Sequence, residues 1–444
     1  MGSVKVRHCG WCGDIIEDCS CACGCGEVFY CGREHQRLDW PEHYAECKPY
    51  KIRSSTEAGQ YMVAVRNLKA GAQILKDEPM VVGPLGTSEL LCLACHAPIY
   101  DENFYKCPCC FWPMCSLDCA SAKVHDNECA ILSEDENQYG APTTQGDTPR
   151  YDLIMIIRCL LLRTTNPKAW DTLLSMASHG CSEIERKSPH QVAAVRYLTE
   201  VCKVDYDADT IHYVRGVVRT NALEIRGPKG TRLRALYPMI RIFNHSCSPN
   251  IHLSCDLEGV MEAKTATSVE KGDSLCICYT GTDVPLWERQ ACLLDIHHFD
   301  CLCERCTDPT EMGTMFSSSR CLVCPQEIMK PFICNGCITW KCQKCGAESS
   351  AEEIKQEIEE WMFRLQMNEL FGTGTPNRIS HALAVIELHF HIKHFIWLKA
   401  GQAALLKIKY NDSFDAMKLR KYIWEKMLDI YNRIEPGLTR RRGM

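Results

Sequence analysis

Thirty-three cysteines among 444 residues constrain this chain more than any other feature, because most stand in pairs at metal-ligand spacing. The first module reads Cys9-xx-Cys12, a Cys21/Cys23/Cys25 cluster, Cys31-xxx-His35 and His43-xxx-Cys47. The second reads Cys92-xx-Cys95, Cys107-xx-Cys110, Cys115-xxx-Cys119 and His125-xxx-Cys129. Zinc takes four thiolate or imidazole ligands in a tetrahedron, so each module holds enough ligands for two ions. Cys301-x-Cys303-xx-Cys306 forms a third group, and a fourth lies between Cys321 and Cys345. The rival explanation is a disulfide framework. Such frameworks belong to short secreted chains, whereas residues 1–7 here are polar and basic, with no apolar leader. Zinc is the better reading. Cys159, Cys181, Cys202, Cys255, Cys276, Cys278 and Cys292 lack ligand spacing and read as small buried apolar residues.

The length predicts about three domains. A hydrophobic content of 46% suffices for ordinary cores, and a net charge of −6 argues against nucleic-acid binding, which needs concentrated Lys and Arg. Arg440, Arg441 and Arg442 read as a solvated basic end. The best membrane candidate, residues 151–162, is too short and carries Asp152 and Arg158, so it reads as a buried helix. No membrane association is expected, and an intracellular residence, in cytoplasm or nucleus, follows from reduced cysteines.

The expected fold class is α+β and multidomain. Strands are predicted at Tyr61-Met-Val-Ala-Val65 and over 74–82, around a turn at Lys69-Ala-Gly71. Residues 137–149, rich in Gly, Pro, Thr and Gln, read as an exposed linker. Helix is predicted over 151–204 and 208–221, then short strands over 222–300, including 259–263 and 274–279. Apolar residues at Ile354, Ile358, Trp361, Met362 and Leu365 keep a helical period over 351–371, and helix continues over 381–408 and 417–434. His381, His389, His391 and His394 have no carboxylate or cysteine partner in the sequence, so they read as a solvated or core face.

The span Arg241-Ile-Phe-Asn-His-Ser-Cys-Ser-Pro-Asn250, then Tyr279, then Phe299-x-Cys301-x-Cys303-xx-Cys306, resembles the SET domain of protein-lysine methyltransferases. The first cysteine module resembles a MYND zinc finger, including Val28-Phe-Tyr-Cys31 and Trp40-xx-His43-xxx-Cys47. A MYND finger beside a SET domain split by a cysteine-rich insert resembles the SMYD family. The second module and the closing Glu435-Pro-Gly-Leu-Thr-Arg-Arg-Arg-Gly443 are most similar to its arthropod Smyd-A branch. That resemblance divides the chain into a MYND-type finger (1–50) and a β-rich SET domain with a pseudoknot (51–300). The SET domain would carry a second MYND-like insert at 92–129 and a helical insert at about 150–220. A post-SET zinc region with a zinc-ribbon-like segment (301–350) and a helical, tetratricopeptide-like domain (351–444) would follow.

The resemblance also implies ligand sets. Cross-bracing would group Cys9, Cys12, Cys31 and His35, leaving Cys25, His43 and Cys47 with either Cys21 or Cys23; Cys19 is a spare thiol. In the second module it would group Cys92, Cys95, Cys115 and Cys119, then Cys107, Cys110, His125 and Cys129, with Cys109 extra. Cys247 would join Cys301, Cys303 and Cys306. Cys321-xx-Cys324 with Cys342-xx-Cys345 resembles a zinc ribbon, and Cys334-xx-Cys337 offers a competing pair. All these sites are closed by four protein ligands and so structural.

For function, the resemblance implies S-adenosylmethionine as methyl donor, contacted by Gly59, Asn221, Asn244, His245, Tyr279 and Phe299, with Tyr279 as the catalytic residue. The implied activity is a protein-lysine N-methyltransferase linked to transcriptional regulation, a monomer whose MYND finger binds protein partners, among them proline-rich peptides. Three positions depart from the family pattern: Tyr61 stands for a loop glycine, Ser274 for an acidic residue, and His297 for a second active-site tyrosine. These motivate a second reading, an adaptor or co-repressor that keeps the fold with weak or absent turnover.

Overall fold

A computed structural model describes residues 7–16, 21–57, 59–100, 104–141, 150–179, 186–324, 326–334, 336–366, 370–372 and 374–437. Cys19, Cys181, most of the expected linker, the Arg440–Arg442 tip and most of the closing 435–443 motif lie outside the described residues.

Short antiparallel sheets carry the central part of the chain. Tyr50–Ser55 pairs with Gly59–Ala64, whose other edge meets residues 273–275: Leu275 N–H donates to Met62 O and Ala64 N–H to Asp273 O, both at 2.9 Å. Gln73–Asp77, Met261–Thr265 and Ile251–Cys255 form a second sheet, and Val81–Pro84, Arg232–Leu236 and Leu223–Arg226 a third. Residues 74–82 are therefore two strands in two sheets rather than one. Pro79 lies between them and lacks the N–H that a continuous ladder would need.

Helix Tyr151–Thr165 is buried around most of its circumference and packs on Val81–Pro84. Contact is close at Gly83, where a Cβ would meet Met155 Sδ at 3.2 Å. The helical stretch expected over 151–204 is divided. Asn166 and Ser188 cap new helices, Pro167–Leu174 and Pro189–Arg196, each starting on a proline whose missing N–H costs nothing at that position. A π-helical turn, Tyr197–Val201, and helix Ala208–Asn221 follow.

A second core lies toward the C-terminus. Helices Ala351–Gln366, Pro376–His389, Phe395–Lys407 and Phe414–Ile434 bury Trp361, Ile386, Trp397, Ile423 and Ile430 between them. The run 381–408 is thus broken at residues 390–394. There the His394 side chain caps the next helix, its Nδ1 accepting from Ile396 N–H at 3.1 Å. Trp287 joins this core to helix Leu286–His297 through edge contacts with Trp340 (5.7 Å) and Phe395 (5.6 Å).

His394 is fully buried, and burial pushes its imidazole down to about 3 from an ordinary 6.5. The fold therefore holds the neutral ring. Its stabilising contribution is complete above pH 6.5 and drains away as pH falls from 6.5 toward 3. Urea midpoints should fall over that window, and His394→Asn should flatten part of the slope; an unchanged slope would reject the assignment. Burial likewise lowers His96, His245 and His297 to about 4, so these rings share in the slope.

Candidate active site and metal centres

In the N-terminal module, Cys9, Cys12, Cys31 and His35 bring their ligand atoms within 4.8 Å of one another, and so do Cys23, Cys25, His43 and Cys47. Helix Arg33–Glu46 supplies both histidines, with His35 Nδ1 2.9 Å from Cys31 Sγ and His43 Nε2 3.2 Å from Cys23 Sγ. Cys21 is outside both sets, in a strand position opposite Tyr30. A Zn–S bond of about 2.3 Å in a tetrahedron sets sulfurs about 3.8 Å apart. The observed Sγ separations, 3.8 Å for Cys12–Cys31 and 3.6 Å for Cys23–Cys47, fit zinc.

The second module repeats this arrangement with Cys92, Cys95, Cys115 and Cys119, and with Cys107, Cys110, His125 and Cys129. Cys109 stays exposed outside both sets. His125 Nε2 lies 3.4 Å from Cys110 Sγ while its Nδ1 meets Glu128 Oε1 at 2.9 Å. That contact fixes which nitrogen faces the metal. Arg158 closes the arrangement: Nε and Nη2 donate to the Glu128 carboxylate, Nη1 to Val82 O and Nη2 to Leu93 O. Burial opposes the Glu128 charge, but Arg158 and His125 hold its carboxyl below the usual range. One arginine of the buried helix thereby ties the insert to the sheet. The motif reading passed over Arg158, noting it only as a charge inside an apolar run.

Farther on, Cys321 and Cys345 have sulfurs 3.5 Å apart, with Cys324 and Cys342 beside them. Cys334 and Cys337 face each other at the far end of hairpin Ile328–Cys334/Cys337–Cys342, exposed and away from that group. Cys247, Cys301, Cys303 and Cys306 form a buried set around Cys247, with Cys306 Sγ at 3.4 Å and Cys301 Sγ at 4.0 Å.

Cys247 connects this set to the expected active-site residues. Asn244–His245 runs parallel to Cys276–Ile277, and Asn250 ties the crossing: Nδ2 donates to Ser274 O and Oδ1 accepts from Cys276 N–H, both at 2.8 Å. His245 Nδ1 accepts from Tyr279 N–H at 3.0 Å, so the neutral ring carries its proton on Nε2, 3.2 Å from Cys247 Sγ. Both His245 nitrogens are thus engaged by the protein, and only its ring face and backbone are left for a ligand. The Asn244 amide makes no hydrogen bond among the described residues.

Tyr279 donates its hydroxyl to Phe243 O at 2.5 Å, leaving the oxygen lone pairs as acceptors. Burial pushes its phenol upward, so it stays protonated. Its ring lies 4.6 Å from His297 and 5.2 Å from His245, and Phe299 lies 6.0 Å from His245. His179 stacks on His298 at 5.0 Å. Asn221, ending its helix, donates to Val217 O and to Ala177 O, two residues before His179. Gly59 opens its strand at φ +61, a left-handed conformation that suits glycine.

Asp77 escaped the sequence reading because an acid ending a strand carries no motif. Its Oδ2 accepts from Met239 N–H at 2.7 Å and Ile240 N–H at 2.8 Å. It thereby sets the 3₁₀ turn Ile240–Ile242 that leads into Asn244.

Family models match the chain twice: the MYND finger over residues 9–47 and the SET domain over residues 107–280. Among curated proteins, isoform A of SET domain-containing protein SmydA-8 from Drosophila melanogaster is 27% identical over 281 residues, 61% of this chain and 59% of that protein. Histone-lysine N-methyltransferase ASHR1 from Arabidopsis thaliana is 25% identical over 329 residues, 68% of this chain and 64% of its own. The chain thus spans roughly three-fifths of the length of these relatives. A solved structure of Rubisco LSMT bound to AdoMet covers 92% of this chain and 91% of its own at 13% identity and a TM-score of 0.34, too loose a likeness to carry an argument.

Asp77→Ala should leave two backbone donors unpaired beside buried Ile240 and lower stability by about 1–3 kcal/mol. Urea unfolding measures this, and a wild-type midpoint would show that Asp77 does not hold the turn. Glu128→Gln should speed zinc loss from the second module about 10-fold or more. Metal analysis during chelator challenge checks it, and release at the wild-type rate would dismiss the Glu128 contact as incidental.

Proposed function

We propose that this chain, which belongs to the SET and MYND domain family, binds S-adenosylmethionine and transfers its methyl group to a lysine side chain of a protein. One observation carries the reading: Tyr279, His245, His297 and Phe299 cluster beside the crossing of Asn244–His245 with Cys276–Ile277. The SET match and the likeness to an Arabidopsis histone-lysine N-methyltransferase support it, with a histone as the favoured substrate and, through it, a link to transcriptional regulation as part of the proposal.

The donor supplies an electrophilic methyl carbon on a sulfonium. The Asn244 amide is free to meet it, and Phe299 offers an aromatic face beside His245. A lysine nucleophile must arrive neutral although its free pKa is about 10.4. Burial and a neighbouring positive charge both favour loss of that proton, so no strong base is needed. Positioning then supplies much of the rate. Tyr279, with its proton committed to Phe243 O, presents lone pairs to the amine and to the methyl hydrogens. His297 stands where the family has a second tyrosine; burial keeps it neutral near pH 7, so it contributes an acceptor nitrogen.

Zinc would be held by the cysteine and histidine sets described above and would act structurally. The MYND finger exposes Trp11, Ile15, Leu38 and Tyr44, a surface suited to protein partners, proline-rich peptides among them. Tyr61, which pairs with Arg53 where the family has a glycine, favours a second reading in which the chain serves as an adaptor or co-repressor.

Titration calorimetry with S-adenosylmethionine, followed by a methyl-transfer assay on histone and lysine-peptide panels, tests both readings. Saturable donor binding is expected, with transfer reduced on the order of 100-fold in Tyr279→Phe. Absence of donor binding, with peptides still captured through residues 9–47, would sink the enzyme and favour the adaptor.

A further inference from the structure

Three charged side chains surround the Cys247, Cys301, Cys303, Cys306 set without a part in the proposed chemistry. Arg289 and Arg305 are 0% exposed and Glu311 is 1% exposed. Arg289, from helix Leu286–His297, places Nε 3.2 Å from Cys247 Sγ and Nη2 3.6 Å from Cys306 Sγ. The same Nη2 donates to Glu311 Oε1 at 2.9 Å, and Nη1 to Val284 O at 2.7 Å. Arg305 sits within the cysteine loop itself. Its Nη1 donates to Cys247 O and Thr282 O, its Nε is 3.6 Å from Glu311 Oε1, and its guanidinium lies 5.1 Å over the Phe316 ring.

Two buried guanidinium groups sharing one carboxylate leave a positive charge over, which a dry interior does not tolerate alone. Four thiolates on one Zn²⁺ carry two units of negative charge and supply the missing counter-charge. The balance therefore runs both ways. The arginines offset the metal centre, and the metal centre offsets the arginines.

Glu311 extends this balance into residues 308–319. Glu311, Met312 and Met315 all hold left-handed backbone (φ 46, 60 and 53), a conformation that non-glycine residues keep only where their surroundings enforce it. The same segment joins helix Leu286–His297 to the C-terminal core. Ser317 Oγ accepts from Leu286 N–H, Ser317 O accepts from Trp340 Nε1, and Phe316 O accepts from Phe395 N–H.

We propose that Arg289 is the positioning residue of the Cys247 metal centre, its guanidinium serving as counter-charge to Cys247 and Cys306. Through Glu311 it makes occupancy of that centre a condition for seating residues 308–319, and with them the C-terminal helices. The inference rests on zinc binding and is independent of methyl transfer.

Chelator challenge of the zinc-loaded full chain tests it. The readouts are zinc release, alkylation of individual cysteines by mass spectrometry, and hydrogen exchange over residues 308–319. In the wild-type chain, exchange in that segment should rise in step with alkylation of Cys247. Arg289→Met should expose Cys247 and Cys306 about 10-fold faster, a loss in the range seen when partners behind metal ligands are removed. Cys107 and Cys129 of the second module should keep their protection. Arg289→Lys, which keeps the charge without the fork, should fall between the two. Wild-type release in both variants would overturn the proposal, as would loss of zinc from every site alike. If Arg289→Met does not fold, the wild-type and Arg289→Lys measurements decide. Opening of 308–319 out of step with Cys247 alkylation, or wild-type release in the lysine variant, then refutes it.

Discussion

The structure depends on sulfur atoms gathered in groups at contact distance, far closer than bare thiolates would permit. Sγ separations of 3.4–3.8 Å recur in the finger, the insert and the ribbon-like segment, and Cys247 and Cys306 stand at 3.4 Å. A divalent cation removes that repulsion and adds bonds. The finger has little else to fold around: apart from cysteines, its buried cluster holds Ile16 and Tyr30 alone among the described residues. So small an apolar surface does not offset the entropy of ordering a chain, and metal binding there amounts to folding energy.

The Cys247 centre differs from the others in what it holds in place. One bond away from its sulfur, His245 receives the Tyr279 backbone N–H on its other nitrogen. A metal bound there would set the tyrosine ring as well as the crossing of the chain, without touching any substrate. Arg158 plays a comparable part for the insert, spanning Glu128, Val82 and Leu93 from the apolar middle of its helix. In both places an arginine, Arg158 partly buried and Arg289 fully buried, links a cysteine set to the body of the protein. Fork geometry suits arginine to this role, since one guanidinium can serve several acceptors at fixed angles.

Much of this architecture could be read along the chain. Ligand spacing located the cysteine modules, helical periodicity over 351–371 located the helix that the structure gives as Ala351–Gln366, and the Asn-His-Ser-Cys-x-Pro-Asn heptapeptide with its trailing cysteines pointed to the SET domain. Local periodicity did not reveal the breaks. Residues 74–82 keep a strand-like pattern across Pro79, and residues 381–408 read as one helix across the break at 390–394, where His394 caps the next helix.

The sequence by itself determined ligand identity, spacing and hydrophobic period, because those depend on residues three or four apart whose geometry is local. Which of Cys21 and Cys23 faces His43, which arginine grips Glu128 behind His125, and which arginine sits against Cys247 were decided only in three dimensions. The partners there lie 20, 30 and 42 positions apart, as His43 to Cys23, Arg158 to Glu128 and Arg289 to Cys247. Buried charges carry no periodic signature. They are stable only where tertiary packing delivers a counter-charge, so the sequence records the arginine without recording its reason.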